Sequence, residues 1–177
     1  LRPINYTENK GSAQIKTCII LSAINTPGVT KINVKKSRNH TELLLKYLKY
    51  PIKIKKNKKY DLIKVKGLKQ FKSFDYKVPG DISSASFFIV LTLLSKNSTL
   101  LIKDININQS RIGILKILNK MNANIKIINR RNYRGEYIGD IKIKSTKNFK
   151  SINCPENLNS SAIDEFLLIF LIAAKSK

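Results

Sequence analysis

The sequence predicts an α/β (α+β) fold made of a repeated unit and divided between parts of two domains. Predicted helices begin near residues 12, 83 and 161, a period of roughly 70 to 80 residues. Between these starts, apolar spacing predicts the same succession twice: helix, strand, helix, strand, strand. Pro79-Gly80 separates the copies, because Pro fixes φ and Gly permits conformations closed to other residues. We therefore expect one domain part over 1–78 and a second over 79–177.

The first copy is defined by alternating and helical apolar patterns. Its predicted helix, strand, helix and two strands lie at 12–24, 29–34, 40–47, 52–54 and 62–65. Asn25-Thr26-Pro27-Gly28 ends the first helix. The lysine-rich stretch 53–59 is typical of two strand ends around a hairpin turn, which needs no ligand.

The second copy follows the Pro79-Gly80 turn. Its predicted helix, strand, helix and two strands lie at 83–94, 99–103, 111–121, 124–128 and 137–144. A third apolar helix over 161–174 begins a further copy.

Charge is the most unusual property of the composition. The chain has 34 basic and 11 acidic residues, a formal net charge of +23, which allows a basic nucleic-acid-binding module as an alternative. Lysines are however spread over all predicted elements, and only six basic residues are arginine. The excess of Lys accompanies an excess of Ile and Asn, as an AT-rich coding sequence would produce. We therefore expect no nucleic-acid partner.

Simple counts argue against other kinds of site. The longest apolar run, 166–174, has nine residues, whereas a membrane-spanning helix needs about 20. One His and two distant Cys cannot form a metal site, so we expect none. Cys18 and Cys154 are expected to be unpaired thiols in a reducing cytoplasm.

Three predicted helices begin with small polar or acidic residues, at Ser12-Ala13-Gln14, Ser83-Ser84 and Asp164-Glu165. A helix start carries unpaired N–H donors and a partial positive charge, so it suits phosphate and carboxylate groups. Ordinary N-capping explains the same residues, and we favour it for Ser83-Ser84. Gln14 suits a ligand hydroxyl better than a core, because its side chain is long and polar. Asp164 would place a carboxylate in the first turn of the most apolar helix.

Seven motifs, in order along the whole chain, resemble the 5-enolpyruvylshikimate-3-phosphate synthase family. They are Ser12-Ala13-Gln14-Ile15-Lys16, Ser37-Arg38-Asn39-His40-Thr41-Glu42, Val78-Pro79-Gly80-Asp81-Ile82-Ser83-Ser84-Ala85, Asn108-Gln109-Ser110-Arg111-Ile112-Gly113, Met121-Asn122-Ala123, Gly135-Glu136 with Gly139-Asp140, and Ile163-Asp164-Glu165. One such motif is weak evidence, whereas seven in the family's order are specific.

The resemblance implies a role for individual residues. The family's Ser-Ala-Gln turn binds shikimate 3-phosphate, which suggests Ser12 and Ala13 for the phosphate. Gln14 would lie against the shikimate ring and near phosphoenolpyruvate. Arg38 matches an arginine near the same substrate. Asp164 matches the aspartate that contacts shikimate hydroxyls and is proposed to take the proton from the 5-hydroxyl.

The resemblance also implies an architecture and an activity. Similar enzymes have two domains of βαβαββ-like units, the enolpyruvyl transferase fold, which close on substrate. Ser12-Ala13-Gln14 would then face Asp164 across a cleft. The implied enzyme transfers enolpyruvyl from phosphoenolpyruvate to shikimate 3-phosphate in aromatic amino acid synthesis. It uses no cofactor or metal, has small-molecule substrates only, and binds neither nucleic acid nor membrane. The full-length enzyme is expected to be a cytoplasmic monomer.

The sequence also departs from the family's pattern. The family's Lys-Ser-x-x-x-Arg, Gly-Thr-x-x-Arg and Lys-Glu-Ser-Asp-Arg segments have no counterpart here. Because they supply cations for phosphoenolpyruvate, we expect an internal fragment without turnover of its own. Asn122 stands where Gly is usual, and we expect a left-handed backbone there.

Two further alternatives remain open besides the nucleic-acid module. A UDP-N-acetylglucosamine enolpyruvyl transferase relative is disfavoured, because neither Cys18 nor Cys154 lies in that family's reactive-cysteine loop. A degenerate piece with the fold and no role of its own is the other.

Overall fold

The computed structural model describes residues 1–177, which form two compact units, Leu1–Tyr76 and Lys77–Lys177. We call them unit 1 and unit 2. No helix in either unit is both long and apolar enough to span a membrane.

Unit 1 contains one four-stranded sheet and two helices. In chain order its elements are β1 (Asn5–Glu8), α1 (Ala13–Ile24), β2 (Val29–Val34), α2 (His40–Tyr47), β3 (Ile52–Lys55) and β4 (Asp61–Lys66). The sheet order is β1-β2-β4-β3, with β1 parallel to β2 and the other pairs antiparallel. The antiparallel β3–β4 pair confirms the hairpin predicted around the lysine-rich stretch.

The core of unit 1 lies between α1, α2 and the sheet. Alternate residues of β2 are buried, and Ile32 packs with Ile20 of α1 and Ile63 and Val65 of β4. Strand β1 was not predicted, because its sequence Asn-Tyr-Thr-Glu has no apolar alternation and only Glu8 is buried. Parallel pairing with β2 therefore decides its conformation.

A buried ion pair joins the two helices of unit 1. Lys16 of α1 and Glu42 of α2 are 2% and 7% exposed, and the Lys16 Nζ atom lies 2.7 Å from Glu42 Oε1. The same ammonium donates a hydrogen bond of 2.6 Å to the main-chain oxygen of Arg38. One cation thereby fixes the loop before α2 against the first turns of α1.

Unit 2 repeats this arrangement with a three-stranded sheet. Its regular elements are α3 (Ile82–Leu94), β5 (Thr99–Asn106), α4 (Gly113–Lys120), β6 (Ile125–Tyr133) and β7 (Glu136–Lys144), followed by α5 (Asn159–Ala162) and α6 (Phe166–Ala173). The sheet order β5-β7-β6, with both pairs antiparallel, repeats the order β2-β4-β3 of unit 1. The predicted repetition of helix, strand, helix, strand, strand is confirmed.

Strands β5 and β6 continue further than the sequence predicts. Each contains a register shift, and Asp104 and Asn129 there have φ of 55° and 51°. These bulges interrupt the alternation on which the prediction depends. Asp140 holds both, because its carboxylate accepts hydrogen bonds from Asn129 Nδ2 and the Asp104 N–H at 2.8 and 2.9 Å. Hydrogen bonds from Asn129 and then Asp104 hold the pKa of Asp140 below its ordinary value.

The helix predicted over 161–174 is not continuous, which corrects the expected position of Asp164. Helix α5 ends at Ala162, a 3₁₀ turn covers Ile163–Glu165, and α6 then begins at Phe166. Ala162, with φ −127° and ψ 6° as the residue before the 3₁₀ turn, departs from helical geometry. Asp164 therefore lies in a tight turn between two helices and not in the first turn of one.

Two smaller predictions are confirmed. Asn122 has φ of 66°, the left-handed conformation expected just after α4. Cys18 and Cys154 are both free thiols and both exposed.

Gly113, the first residue of α4, allows this helix to approach α5 closely. A Cβ atom at Gly113 would lie 2.5 Å from Ser161 Oγ and 2.7 Å from the Ala162 main-chain nitrogen. Such distances are shorter than any van der Waals contact, so a larger residue must push the helices apart. Arg111 precedes Gly113 by two residues and Asp164 follows Ala162 by two, so this close approach lies near both.

We expect Gly113→Ala to lower the free energy of unfolding by about 1–3 kcal/mol, the usual cost of overpacking. The loss should occur although Ala favours a helix over Gly by about 1 kcal/mol. Lys116→Ala in the same helix is the control, because its side chain is half-buried and meets no such contact. Urea unfolding followed by circular dichroism measures both. A Gly113→Ala chain as stable as the control would contradict the close contact.

Lys16→Met should cost about 3–5 kcal/mol of unfolding free energy, because it leaves the buried Glu42 carboxylate without its cation. The double variant Lys16→Met with Glu42→Leu should lose much less, since no buried charge then remains. Lys46→Met is the control on the exposed face of α2. The urea midpoints of these three variants and of the unsubstituted chain test the role of the ion pair. Equal midpoints for Lys16→Met and Lys46→Met would refute that role.

Candidate functional site

The start of α1 presents a capped helix N-terminus in unit 1. Ser12 is the N-cap, with an extended backbone, and its Oγ accepts a hydrogen bond of 3.3 Å from the Ile15 N–H. Ser12 Oγ also lies 3.3 Å from Oε1 of Gln14, whose side chain is exposed. The first turn of such a helix directs N–H groups outward, and these attract anions. The geometry suits a phosphate group at Ser12-Ala13.

The chain before this helix start is fixed by the carboxylate of Glu8. Glu8 is 1% exposed and accepts hydrogen bonds from the Lys10 and Gly11 N–H groups at 2.7 and 2.8 Å. Gly11 has φ of 75°, which a residue with a side chain rarely adopts. The turn that leads into Ser12 is therefore held in one conformation.

A cavity of about 790 Å³ lies beside this helix start. Ala13, Gln14 and Arg38 line it together with Thr17 and Thr41. The hydroxyls of Thr17 and Thr41 are 2.8 Å apart, which adds a second link between α1 and α2. The structure thus brings together Ala13, Gln14 and Arg38, three of the residues that the sequence nominated.

In unit 2, Asp164 belongs to a cluster around the guanidinium of Arg111. Arg111 Nη1 donates to Asp164 Oδ2 at 3.0 Å. Its Nη2 donates to Asp81 Oδ1 at 3.0 Å and to Ser83 Oγ at 2.6 Å. Ser83 Oγ in turn donates to Glu165 Oε1 at 2.5 Å. One guanidinium therefore joins the start of α3 to the turn between α5 and α6. We call these five side chains the Arg111 cluster.

Asp81 serves two functions in this cluster. It is the N-cap of α3, and its Oδ2 accepts hydrogen bonds from the N–H and Oγ of Ser84 at 2.9 and 3.1 Å. Burial, the largest single influence, raises the pKa of Asp81. The hydrogen bonds from Ser84 and the charge of Arg111 outweigh burial, so the pKa lies below its ordinary value. Asp81 therefore stays ionised and keeps its attraction for Arg111.

The loop before α4 positions the Arg111 backbone. Asn108 Oδ1 accepts hydrogen bonds from the N–H and Oγ of Ser110 at 2.9 and 2.7 Å. The Arg111 N–H donates to the main-chain oxygen of Asn108 at 2.8 Å. Asn108 Nδ2 donates to Glu136 Oε1 at 3.1 Å, and Asn106 Nδ2 donates to the same carboxylate. The buried Glu136 thus anchors the turn to the sheet.

Exposure differs sharply within the Arg111 cluster. The Arg111 side chain is 13% exposed, whereas those of Asp164 and Asp81 are 45% and 52% exposed. Glu165 is 3% exposed. Asp164 and Asp81 are thus the carboxylates of the Arg111 cluster that a ligand can reach, whereas Glu165 is buried.

Three residues of these sites had no role assigned from the sequence. Arg111, Lys16 and Glu42 all lie in motifs that were recognised, but their partners are distant along the chain. The sequence signals for Arg111 were its place in the Asn108–Gly113 motif and the scarcity of arginine among 34 basic residues. The expectation for Ser83-Ser84 needs a correction, because Asp81 is the cap. Ser84 supplies the capped N–H, whereas the Ser83 side chain joins the cluster.

Comparison with known sequences gives a consistent family. A sequence profile of EPSP synthase (3-phosphoshikimate 1-carboxyvinyltransferase) matches residues 1–176. The 3-phosphoshikimate 1-carboxyvinyltransferase of Petrotoga mobilis is 40% identical over 179 residues, covering 100% of this chain and 40% of the relative. The protein of that name from Ruthia magnifica is 39% identical over 178 residues, with the same coverage. The chain thus spans about 40% of the length of the curated relatives it matches.

Comparison with solved structures indicates the same family. EPSP synthase from Acinetobacter baumannii matches with a TM-score of 0.89 and 34% identity, over 100% of this chain and 39% of that one. The enolpyruvyl transferase NikO from Streptomyces tendae matches with a TM-score of 0.61 and 14% identity, over 100% and 43%, which shows a shared fold alone. These matches confirm the predicted fold class and the sequence resemblance. The chain belongs to the EPSP synthase family.

Proposed function

We propose that this chain supplies part of a 3-phosphoshikimate 1-carboxyvinyltransferase. That enzyme transfers the enolpyruvyl group of phosphoenolpyruvate to the 5-hydroxyl of shikimate 3-phosphate and releases phosphate. The observation that carries the proposal is the cavity of unit 1, where Ala13, Gln14 and Arg38 meet beside a capped helix start. This arrangement occurs in a chain that is 40% identical over its whole length to an enzyme of that name.

Unit 1 would bind shikimate 3-phosphate. The Ser12 hydroxyl and the Ala13 N–H would meet the phosphate, where the partial positive charge of α1 adds attraction. Gln14 would donate from its exposed amide to a shikimate hydroxyl and lie near phosphoenolpyruvate. Arg38 would add a positive charge at the edge of the same cavity. The nucleic-acid module and the UDP-N-acetylglucosamine relative are not favoured, because the matching relatives are 3-phosphoshikimate 1-carboxyvinyltransferases.

Unit 2 would supply the base. Asp164 would accept the proton of the 5-hydroxyl as that oxygen forms a bond to the enol carbon of phosphoenolpyruvate. The methylene carbon gains a proton from a general acid in the same step, which yields a tetrahedral intermediate. Loss of a proton from the new methyl group and cleavage of the bond to phosphate then leave the enolpyruvyl ether. The charged groups around both phosphates and the carboxylate stabilise these steps.

The same proposal covers the organisation and setting of the protein. Units 1 and 2 would be parts of the two domains of the enolpyruvyl transferase fold, with residues 1–78 and 79–177 assigned to them. The enzyme would act as a monomer on small molecules in the cytoplasm. Neither a cofactor nor a metal is required by the chemistry above.

The test uses a chimera in which residues 1–177 replace the matching segment of the Petrotoga mobilis relative. We expect the chimera to form enolpyruvylshikimate 3-phosphate and phosphate. Asp164→Asn should lower its kcat by about 10²–10⁴-fold, the usual contribution of a general base. The KM for phosphoenolpyruvate should change much less, because the amide keeps the shape of the side chain.

Glu156→Gln is the matched control for this substitution. Glu156 is an exposed carboxylate that lies before α5 and outside the Arg111 cluster, so its loss should leave kcat unchanged. Phosphate release and product formation, measured at saturating substrate, give the comparison. A chimera without transfer activity would contradict the proposed function. An Asp164→Asn chimera as fast as the control would remove Asp164 from the role of base.

A further inference from the structure

We infer that Arg111 is the positioning residue of the proposed base, holding Asp164 through Asp81 and Ser83 at the start of α3. The inference rests on the proposed function. It assigns a role to Arg111, which lies in a family motif but had no role assigned from it. Arg111 does not act on substrate in this account. It acts through the carboxylate of Asp164, to which its Nη1 donates at 3.0 Å.

The first support is the direction of the hydrogen bonds. Nη1 is used for Asp164, while Nη2 is shared by Asp81 at 3.0 Å and Ser83 at 2.6 Å. The guanidinium is planar, so fixing one nitrogen on α3 fixes the direction of the other. The orientation of Asp164 is therefore set from α3, which begins 82 positions before Asp164 in the chain.

The second support is burial. The Arg111 side chain is 13% exposed, although a surface ion pair would leave a long cationic side chain mostly in solvent. Its main chain is held by the Asn108 turn, which Glu136 anchors to β7. Both ends of the residue are thus fixed before any substrate binds. A fixed guanidinium can hold a carboxylate in one position, which a mobile one cannot do.

The third support is the balance of charge. One guanidinium serves three carboxylates, those of Asp81, Asp164 and Glu165, the last one through Ser83. Removing the cation would leave like charges close together, and the half-exposed Asp164 and Asp81 could turn into solvent whereas the buried Glu165 could not. Loss of Arg111 should consequently displace the base more than it disturbs the buried core.

The test is a double-variant cycle in the chimera of Petrotoga mobilis. Arg111→Gln should lower kcat by about 10²-fold, the loss associated with a misplacement of about 1 Å, with a smaller change in the KM for phosphoenolpyruvate. In the Asp164→Asn background, the same change should cost less than 3-fold in kcat, because the group that it positions has already been removed. A residue that supports only the fold would reduce kcat by the same factor in both backgrounds.

Two variants separate positioning from folding. Arg111→Lys keeps the charge, but an ammonium lacks the planar fork that spans Asp164 and Asp81. We expect Arg111→Lys to keep most of the thermal stability and still lose at least 10-fold in kcat. Arg130→Gln is the control, because Arg130 lies exposed over the ring of Tyr137 and outside the cluster.

The outcomes are distinct from those that test the proposed function. An inactive chimera or a fully active Asp164→Asn variant overturns the function and the positioning role together. If Asp164→Asn is impaired while Arg111→Gln or Arg111→Lys retains full kcat, only the positioning role is overturned. Equal losses from Arg111→Gln in both backgrounds overturn it as well. A loss confined to the background that retains Asp164 supports it.

Discussion

The guanidinium of Arg111 is the contact on which the arrangement of unit 2 depends most. It joins residues 81 and 83 at the start of α3 to residue 164 in the turn before α6. Hydrogen bonds to charged groups contribute about 1.5–3 kcal/mol each, and the half-exposed carboxylates lie at the lower end of that range because water screens them. The consequence is mainly geometric: three segments distant along the chain are held around one planar group.

Unit 1 uses a similar device with a different cation. Lys16 is almost fully buried and binds both the Glu42 carboxylate and the main-chain oxygen of Arg38. In each unit, a single buried cation ties the start or first turns of a helix to a segment that carries a proposed functional residue. The small residue Gly113 and the carboxylate of Glu136 support the arrangement in unit 2. Positioning groups are thus more deeply buried than the groups that would meet substrate.

Much of the fold could be predicted from the sequence, because local signals decide it. The bounds of β2 and α2 match the predicted ones, since alternation in one and a leucine face in the other are undisturbed. The left-handed Asn122 follows from its place at a helix end. Strand β1 could not be predicted, because pairing with β2 and not its own pattern makes it a strand. The second halves of β5 and β6 could not be predicted, because the bulges at Asp104 and Asn129 interrupt the alternation of apolar residues.

The candidate site was predictable only in part, because its contacts join residues that are distant along the chain. Family motifs nominated Ser12, Ala13, Gln14, Arg38 and Asp164, and the structure brings Ala13, Gln14 and Arg38 to one cavity. The pairing of Arg111 with Asp164 spans 53 positions, and no local pattern encodes such a contact. The break between α5 and α6 could not be predicted either, because no Pro or Gly interrupts the sequence there.

The most direct test is nitrogen-15 NMR of the Arg111 guanidinium in the 177-residue chain. If the guanidinium is held at both ends, its Nη1 and Nη2 groups should give separate resonances with slowly exchanging protons. Asp164→Asn should shift the Nη1 resonance, and Asp81→Asn should shift the Nη2 resonance. A single averaged Nη signal that ignores both substitutions would show a freely rotating side chain and contradict the account.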